Sequence, residues 1–407
     1  MSYRIIRITD YYEEFLDSYY KDNLEKIDID YDNQYKEIIG ESIEMVSSYE
    51  KYMKQIGVDA IGIISNAKHL QKRWAKEHNI SVDKTAEEIV LEQIKFYKPD
   101  IVWIDTTKFI SKEWISHLKT ITPNLRQVVG HICAPYNDTL AEAFKELDIV
   151  FTCSPCTARE LKANGIKRVE LVYHSFDHSV LNRLNLVNTS EKKNDLVFTG
   201  SLITGYGLHN ERIEYLEKII NSGVDLSLYG NLESKHRVFL KRSFSKTIKI
   251  LNTLGLDSVI ENIDILKKHK KYGEVDVKYF SKNLLKNVKS PYFGLDMYKL
   301  LVNSKMCFNI HGDVAGKCAG NLRLFESTGV GTCLITDWKE NMGDLFDLDD
   351  EVVTYKTQEE CVDKIKWLVN NPIEMNKIAV AGQKRTLADH TVEKRVVKVN
   401  EILSSNL

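Results

Sequence analysis

The chain has 407 residues, 43% of them apolar and 10% aromatic, which suits two or three packed domains and excludes a disordered protein. Fifty-six basic residues against 58 acidic give a net charge of −2, which excludes a histone-like binder and a polyacidic tail protein. No apolar run is long enough for a transmembrane helix, which needs about 18 residues or more, and the start MSYRIIRITDYYEEF lacks the basic and apolar segments of a secretory signal.

Short Val- and Ile-rich runs alternate with helical patterns from the first residues onward. Tyr3–Thr9, Asp59–Ser65, Asp100–Asp105, Arg126–His131, Asp148–Thr152 and Val169–His174 read as buried strands. Helical patterns such as Ala86–Phe96 and Thr139–Leu147 lie between them. A polar, weakly patterned stretch at Asn182–Asp195 marks a domain boundary, after which the alternation restarts at Leu196–Thr199, Asp225–Tyr229, Met306–Ile310, Cys333–Thr336 and Val352–Tyr355. The fold class is therefore α/β, two parallel-sheet domains of similar size. In such sheets ligands sit outside the carboxyl ends of the strands, and a ligand held in a cleft between two domains is the default expectation. The last helix, about Val392–Leu403, carries an apolar stripe at 392, 396, 397, 399 and 403 that must pack somewhere.

The near-zero net charge hides two unbalanced regions. Residues 1–50 hold 13 acids, five bases and eight of the 20 tyrosines. Residues 235–289 hold 14 bases and five acids, in a helical insertion in the second domain. This basic segment is either a solvated helical face or a surface for something anionic: a lipid membrane, a charged polymer or the acidic start of the chain. It lacks the interleaved aromatics of a nucleic-acid groove, so no nucleic-acid partner is expected. The odd, sparse count of seven cysteines fits free thiols in a reducing cytoplasm better than a disulfide framework. The expected location is cytoplasmic, with peripheral contact at the inner membrane face through the basic segment. Cys153-Ser-Pro-Cys156 has redox-motif spacing, but no second pair completes a zinc site, so it reads as structural. Asp28–Asp30 and Asp347–Asp349 have Asp-x-Asp spacing in acidic, turn-like stretches, and no metal site is assigned to them.

The segment richest in chemistry is Met306–Asp337. A strand ends at Ile310, and a loop with Gly312, Gly316 and Gly320 leads to a short helix that begins near Asn321, a plausible N-cap, and stops at Gly329 or Gly331. Glycines before a helix start let backbone N–H groups approach an anion, and the helix dipole favours negative charge there. Arg323 in the first turn opposes the dipole, a conflict that a bound anion removes. Glu326 lies one turn further on the same face, where a carboxylate can accept both hydroxyls of a ribose. The plain alternative is that Arg323 and Glu326 simply pair with each other.

The stretches NLRLFESTGVGTCLITD, EVVTYKTQEECVDKIKWLVNNP and IAVAGQKRTLADHT resemble the C-terminal half of GT-B fold glycosyltransferases, in particular the CgeB-like, "glycosyl transferases group 1" type of bacterial proteins. ISNAKHLQKRWAKEHN, KPDIVWID, VVGHICAP and DIVFTCSPCTARELKANGIKRVELVYHSFD resemble their acceptor-side half, so the resemblance spans about residues 55–395. It implies two Rossmann-like domains facing a cleft: an acceptor-side domain at 1–190, a nucleotide-sugar domain at 191–388 with the basic insertion at about 233–290, and a C-terminal helix at 389–407 that crosses back to the first domain. The implied activity is transfer of a sugar from a nucleoside-diphosphate sugar to a glycan, a lipid-linked or a protein acceptor on a bacterial surface. It is metal-independent, retaining and without a cofactor. The alternatives are an inactive nucleotide-sugar-binding or coat protein of the same fold, and a nucleotide-sugar epimerase.

The resemblance also assigns residues. Many relatives carry two glutamates eight positions apart; Glu326 matches the second, which contacts the ribose, while Cys318 stands at the first. Gly200, Ser201 and Arg212 in the first loop of the second domain, with His311, Gly320, Asn321, Leu322 and Arg323, complete the implied nucleotide-sugar site. Helix N–H groups, Arg323 and Arg212 would stabilise the departing diphosphate. On the acceptor side His131 matches a position where relatives face the cleft with a histidine; its alternative is a structural role. An inverting reaction requires a base, for which His131, Asp138 and Asp10 are candidates. The Thr9–Phe15 loop offers Asp10, Tyr11 and Tyr12 as sugar contacts.

Overall fold

The computed structural model describes residues 3–21, 24–42, 45–184, 192–405 and 407. The chain divides into two units. The first comprises Met1–Leu184, Phe293–Leu295 and Thr386–Leu407, and the second Asn185–Tyr292 and Asp296–Arg385. The polar stretch read as a linker falls largely on 185–191, outside the described residues.

The first unit holds a parallel sheet of β1 (Arg4–Thr9), β2 (Asp59–Ile64), β3 (Ile101–Ile104), β4 (Gln127–Ile132), β5 (Ile149–Thr152) and β6 (Val169–Leu171), in the order β2-β1-β3-β4-β5-β6. The interior strands are short and nearly all buried, because helices cover both faces and each face demands branched apolar side chains. Aspartates that precede strands tie the sheet's lower edge. Asp100 accepts from the Arg4 N–H and Asp148 from the Val128 N–H, both on neighbouring strands.

The second unit holds β7 (Asn194–Thr199), β8 (Leu226–Tyr229), β9 (Val288–Lys289), β10 (Ser304–Asn309), β11 (Cys333–Asp337) and β12 (Val353–Tyr355), in the order β9-β8-β7-β10-β11-β12. All its pairings are parallel. Counted within the unit this is 3-2-1-4-5-6, the dinucleotide-binding order, whose switch point lies between β7 and β10. Two residues of β9 were too few for a sequence pattern to show. Between β8 and β9 run the helices Lys235–Thr253, Asp257–Asn262, Asp264–Lys268 and Lys282–Asn287, which carry the basic segment.

The last helix, Val392–Ser404, belongs to the first unit. Thr391 caps it by accepting the Lys394 N–H. Val392, Val396, Val399 and Leu403 are buried in a cluster with Tyr49, Tyr52, Met53 and Trp103, while Val397 faces outward. The Tyr3 hydroxyl donates to Asn400 at 2.7 Å and the Gln127 amide to the Leu403 carbonyl at 3.0 Å.

Candidate functional site

At the switch point of the second unit, the loops after β7 and β10 are tied together. The Asp313 N–H donates to the Leu208 carbonyl and the Val314 N–H to Gly207. Asp313 in return accepts from the side chain and the backbone N–H of Asn210, the first residue of the helix Asn210–Asn221. Both loops are thereby fixed before any ligand arrives.

Two guanidinium groups converge on the end of β7. Arg212 donates to the carbonyls of Ser201 and Ile310, each at 2.9 Å, and is itself buried. Burial, opposed by Asp337 and Asp313, brings its pKa down to about 10. Two of its donors are thus engaged by loop carbonyls, through which the residue sets loop position and local positive charge. Arg323 donates to the Thr199 carbonyl at 3.3 Å and meets Glu326 at 2.9 Å, with both side chains partly accessible. The pairing of Arg323 with Glu326 is thus real, and it aims the guanidinium at the switch point.

The helix itself runs Arg323–Gly329, two residues later than expected. Leu322 occupies its N-cap without a side-chain cap, and Asn321 instead donates its amide to Asn309 at 2.8 Å, so Asn321 is not the cap. Gly331, at φ +76°, ends the segment in a conformation that suits glycine. His311, expected to face a ligand, is buried and fully engaged. Its Nε2 accepts the Gly320 N–H at 3.3 Å, which leaves Nδ1–H to donate to Asp337 at 2.7 Å. Burial opposes the Asp337 charge, but His311 and Lys339 overcome it and hold that carboxyl well below the usual range. His311 therefore shapes the glycine loop rather than contacting a ligand. Lys339 and Asn341 hold the same loop through the Gly316 and Ala319 backbones. Asp337, Lys339 and Asn341 were missed from sequence; a carboxylate at a strand's carboxyl end was the available signal for Asp337. Gly200 turns directly after β7, its N–H donating to the Tyr229 carbonyl.

In the first unit the base candidates Asp10, Asp138 and His131 stand in three different settings. Asp10 accepts from Ser65, from Thr106 at 3.0 Å and from Lys108 at 2.8 Å, so it straps the ends of three strands. Asp138 is exposed in the first turn of the helix Asp138–Phe144, where it complements the dipole. Tyr11 is buried, which corrects its reading as a sugar contact, whereas Tyr12 is exposed. His131, at the end of β4, places Nδ1 3.2 Å from Asp105 and Nε2 3.3 Å from the Cys133 sulfur. Asp105 pairs with Arg7, whose guanidinium lies over Trp103 and Tyr49. Burial raises the Asp105 carboxyl, and Arg7 and His131 more than reverse it. Arg7 and Asp105 were also missed, although a charged residue inside an apolar strand run was a signal for Arg7.

The expectation of free thiols holds at Cys307, Cys333 and Cys361 and is corrected at Cys133 and Cys153, which are disulfide-bonded across the ends of β4 and β5 with Cα atoms 5.7 Å apart. Adjacent parallel strands bring these two residues into bonding range, a proximity invisible in the spacing of the sequence.

Residues 261–401 match the family model described as "Glycosyl transferase-like", about a third of the chain. Among curated proteins none matches in sequence. Solved structures match over the full length. HepE of Anabaena, crystallised with UDP-glucose, has 12% identity and a TM-score of 0.57, covering 99% of this chain and 100% of its own. A glycosyltransferase from Rickettsia africae has 13% identity and a TM-score of 0.56, covering 100% and 98%. Sucrose-phosphate synthase of Thermosynechococcus elongatus has 10% identity and a TM-score of 0.55, covering 99% and 98%. The chain has the GT-B fold. In GT-B terms, the sheet with the dinucleotide-binding order is the second, and the Arg323–Glu326 pair stands at its switch point.

Proposed function

We propose that the protein is a glycosyltransferase of the CgeB-like type that takes a sugar from a nucleoside-diphosphate sugar and passes it to a glycan, lipid-linked or protein acceptor. The observation that carries this reading is the Arg323–Glu326 pair at the β7/β10 switch point, 2.9 Å apart and partly accessible, on a preformed loop scaffold. Glu326 accepts the ribose hydroxyls, and Arg323 takes negative charge as the diphosphate departs. Arg212 and His311 hold the loops on which Gly200, Ser201, Gly320 and Leu322 lie. Donors positioned in advance stabilise the leaving group without reorganising as the bond breaks.

Retention of configuration fits the first unit. Inversion asks for a base, and Asp10 is occupied by three donors, Asp138 is exposed at a helix start and Nε2 of His131 faces a sulfur. The reaction is metal-independent in this reading, with the leaving charge met by guanidinium and backbone N–H groups. The basic insertion supplies peripheral contact with an anionic membrane at the cytoplasmic face. Phe239, Ile250, Leu254 and Ile265 are more than half exposed among its lysines, a mixture of apolar and basic groups suited to an anionic lipid surface.

One observation favours a second reading, a nucleotide-sugar-binding protein without turnover: Cys318, buried, stands where relatives carry the first glutamate. A thermal-shift panel of nucleotides and nucleotide-sugars, followed by an assay for transfer or hydrolysis of the stabilising ligand, tests both. A ligand at 100 times its Kd adds about 2.7 kcal/mol of stability. Turnover of that ligand excludes the binding-only reading, and the absence of any shift across the panel contradicts both.

A further inference from the structure

The ends of β4, β5 and β6 gather sulfur and nitrogen donors that the transfer reaction does not use. Cys133 follows β4 directly, Cys153 follows β5 directly, and His174 lies three residues past β6. One donor atom from each of the three lies within 4.8 Å of the others. Nε2 of His131 adds a fourth, 3.3 Å from the Cys133 sulfur. Around a tetrahedral zinc ion, with bonds of about 2.3 Å to sulfur and about 2.0 Å to nitrogen, neighbouring donors stand roughly 3.3–3.8 Å apart. The 4.8 Å limit among Cys133, Cys153 and His174 is about an ångström beyond that spacing, and the His131–Cys133 approach of 3.3 Å is at it.

Two further features belong to metal sites rather than to an ordinary core. His131 is oriented from behind: its Nδ1 lies 3.2 Å from Asp105, which is anchored by Arg7. Ligating histidines commonly donate their second ring N–H to a carboxylate in this way. His174 carries a buried Nδ1 with no hydrogen-bond partner among the described residues, a condition that buried polar atoms rarely tolerate. The donors project from adjacent strand ends, the rigid placement that a metal site needs.

We propose that Cys133, Cys153, His174 and His131 bind one zinc ion when the two cysteines are reduced. The disulfide and the metal site are alternative states of the same pair. To pass from one to the other, two molecules of a low-molecular-weight thiol deliver two electrons and two protons. The S–S bond breaks, and the two thiols leave as their own disulfide. Zinc then displaces both cysteine protons to solvent and binds two thiolates. The ion sits among strand ends of the first unit, ties β4, β5 and the segment after β6 together, and takes no part in sugar transfer. It completes a site that Cys153-Ser-Pro-Cys156 alone does not, because the second sulfur comes from the neighbouring strand.

The test uses the full chain, reduced with a phosphine and stripped of metal. Zinc is titrated in competition with a chromophoric chelator, and cobalt(II) is used as a spectroscopic substitute. The expected result is one equivalent of zinc per chain and a cobalt spectrum with thiolate charge-transfer bands and tetrahedral intensity. C133S and C153S should each weaken zinc binding and reduce the thiolate bands, and D105N should weaken zinc binding by about 10–100-fold through the orientation of His131. The wild-type spectrum stands even if a variant fails to fold. Reduced wild-type protein that takes up no zinc, or a cobalt spectrum without thiolate bands, overturns the proposal and leaves a simple dithiol–disulfide pair. Unchanged zinc affinity in folded C133S overturns it as well.

Discussion

Arg323 and Glu326 meet at 2.9 Å across one turn of a helix, and the same guanidinium donates to the Thr199 carbonyl at the end of β7. A carboxylate on one side and a carbonyl on the other fix the fork in one orientation. Lysine offers a point charge without the fork, so Arg323→Lys should keep the charge and lose the geometry. The expected outcome is a nucleotide-sugar affinity reduced by about 10-fold or more, with little change in melting temperature, measured by calorimetric titration.

The turn after β7 depends on a close backbone approach. A Cβ at Gly230 would stand 2.7 Å from the Gly200 carbonyl, a backbone atom that cannot swing aside. Gly230→Ala should therefore displace the Gly200–Ser201 turn, and with it the carbonyl that Arg212 holds. Donor affinity should fall several-fold while circular dichroism stays unchanged.

The strands of both sheets were readable because each is a run of branched apolar residues bounded by turn residues, such as Asp148–Thr152 against the observed Ile149–Thr152. The two-residue β9 was not, since Val288–Lys289 has no period to detect. Arg323 and Glu326 were readable because three residues along a helix fixes their relation. His311 lies in the loop after β10 and Arg212 in the first turn of the helix Asn210–Asn221, and both are engaged by the fold itself. Their positions beside the switch point follow from the sequence; the strand-end carbonyls and Asp337 that claim them become visible only in three dimensions. The Cys133–Cys153 pair depends on strand order, which spacing along the chain does not contain.

His209 makes stability depend on pH. Its Nδ1 accepts the Ile203 N–H, which requires an unprotonated nitrogen. Burial, with the charges of Arg212 and Lys241, takes its pKa from 6.5 down to about 3. Between these values the unfolded chain binds the extra proton, so stability is full above about pH 6.5 and falls as pH drops toward 3, by at most about 1.4 kcal/mol per pH unit. His209→Gln should flatten this part of a urea-denaturation profile. An unchanged slope would assign the dependence to other groups.

The C-terminal helix should be a structural part of the first unit. Leu403 is fully buried beside Tyr3 and Val399 in one cluster, so Leu403→Ala should cost about 2–5 kcal/mol. Chemical denaturation measures this; a loss under about 1 kcal/mol would mean that the helix is not held there.

The central claim is that Glu326 at the β7/β10 switch point binds the donor nucleotide. It is tested most directly by titrating Glu326→Ala and the wild type with the nucleotide-sugar that stabilises the protein, and by following its turnover. Removing a charged acceptor of two hydroxyls is worth about 1.5–3 kcal/mol, so Kd should rise about 10–100-fold and turnover should fall with it. A folded Glu326→Ala protein with wild-type affinity and wild-type turnover would contradict the account.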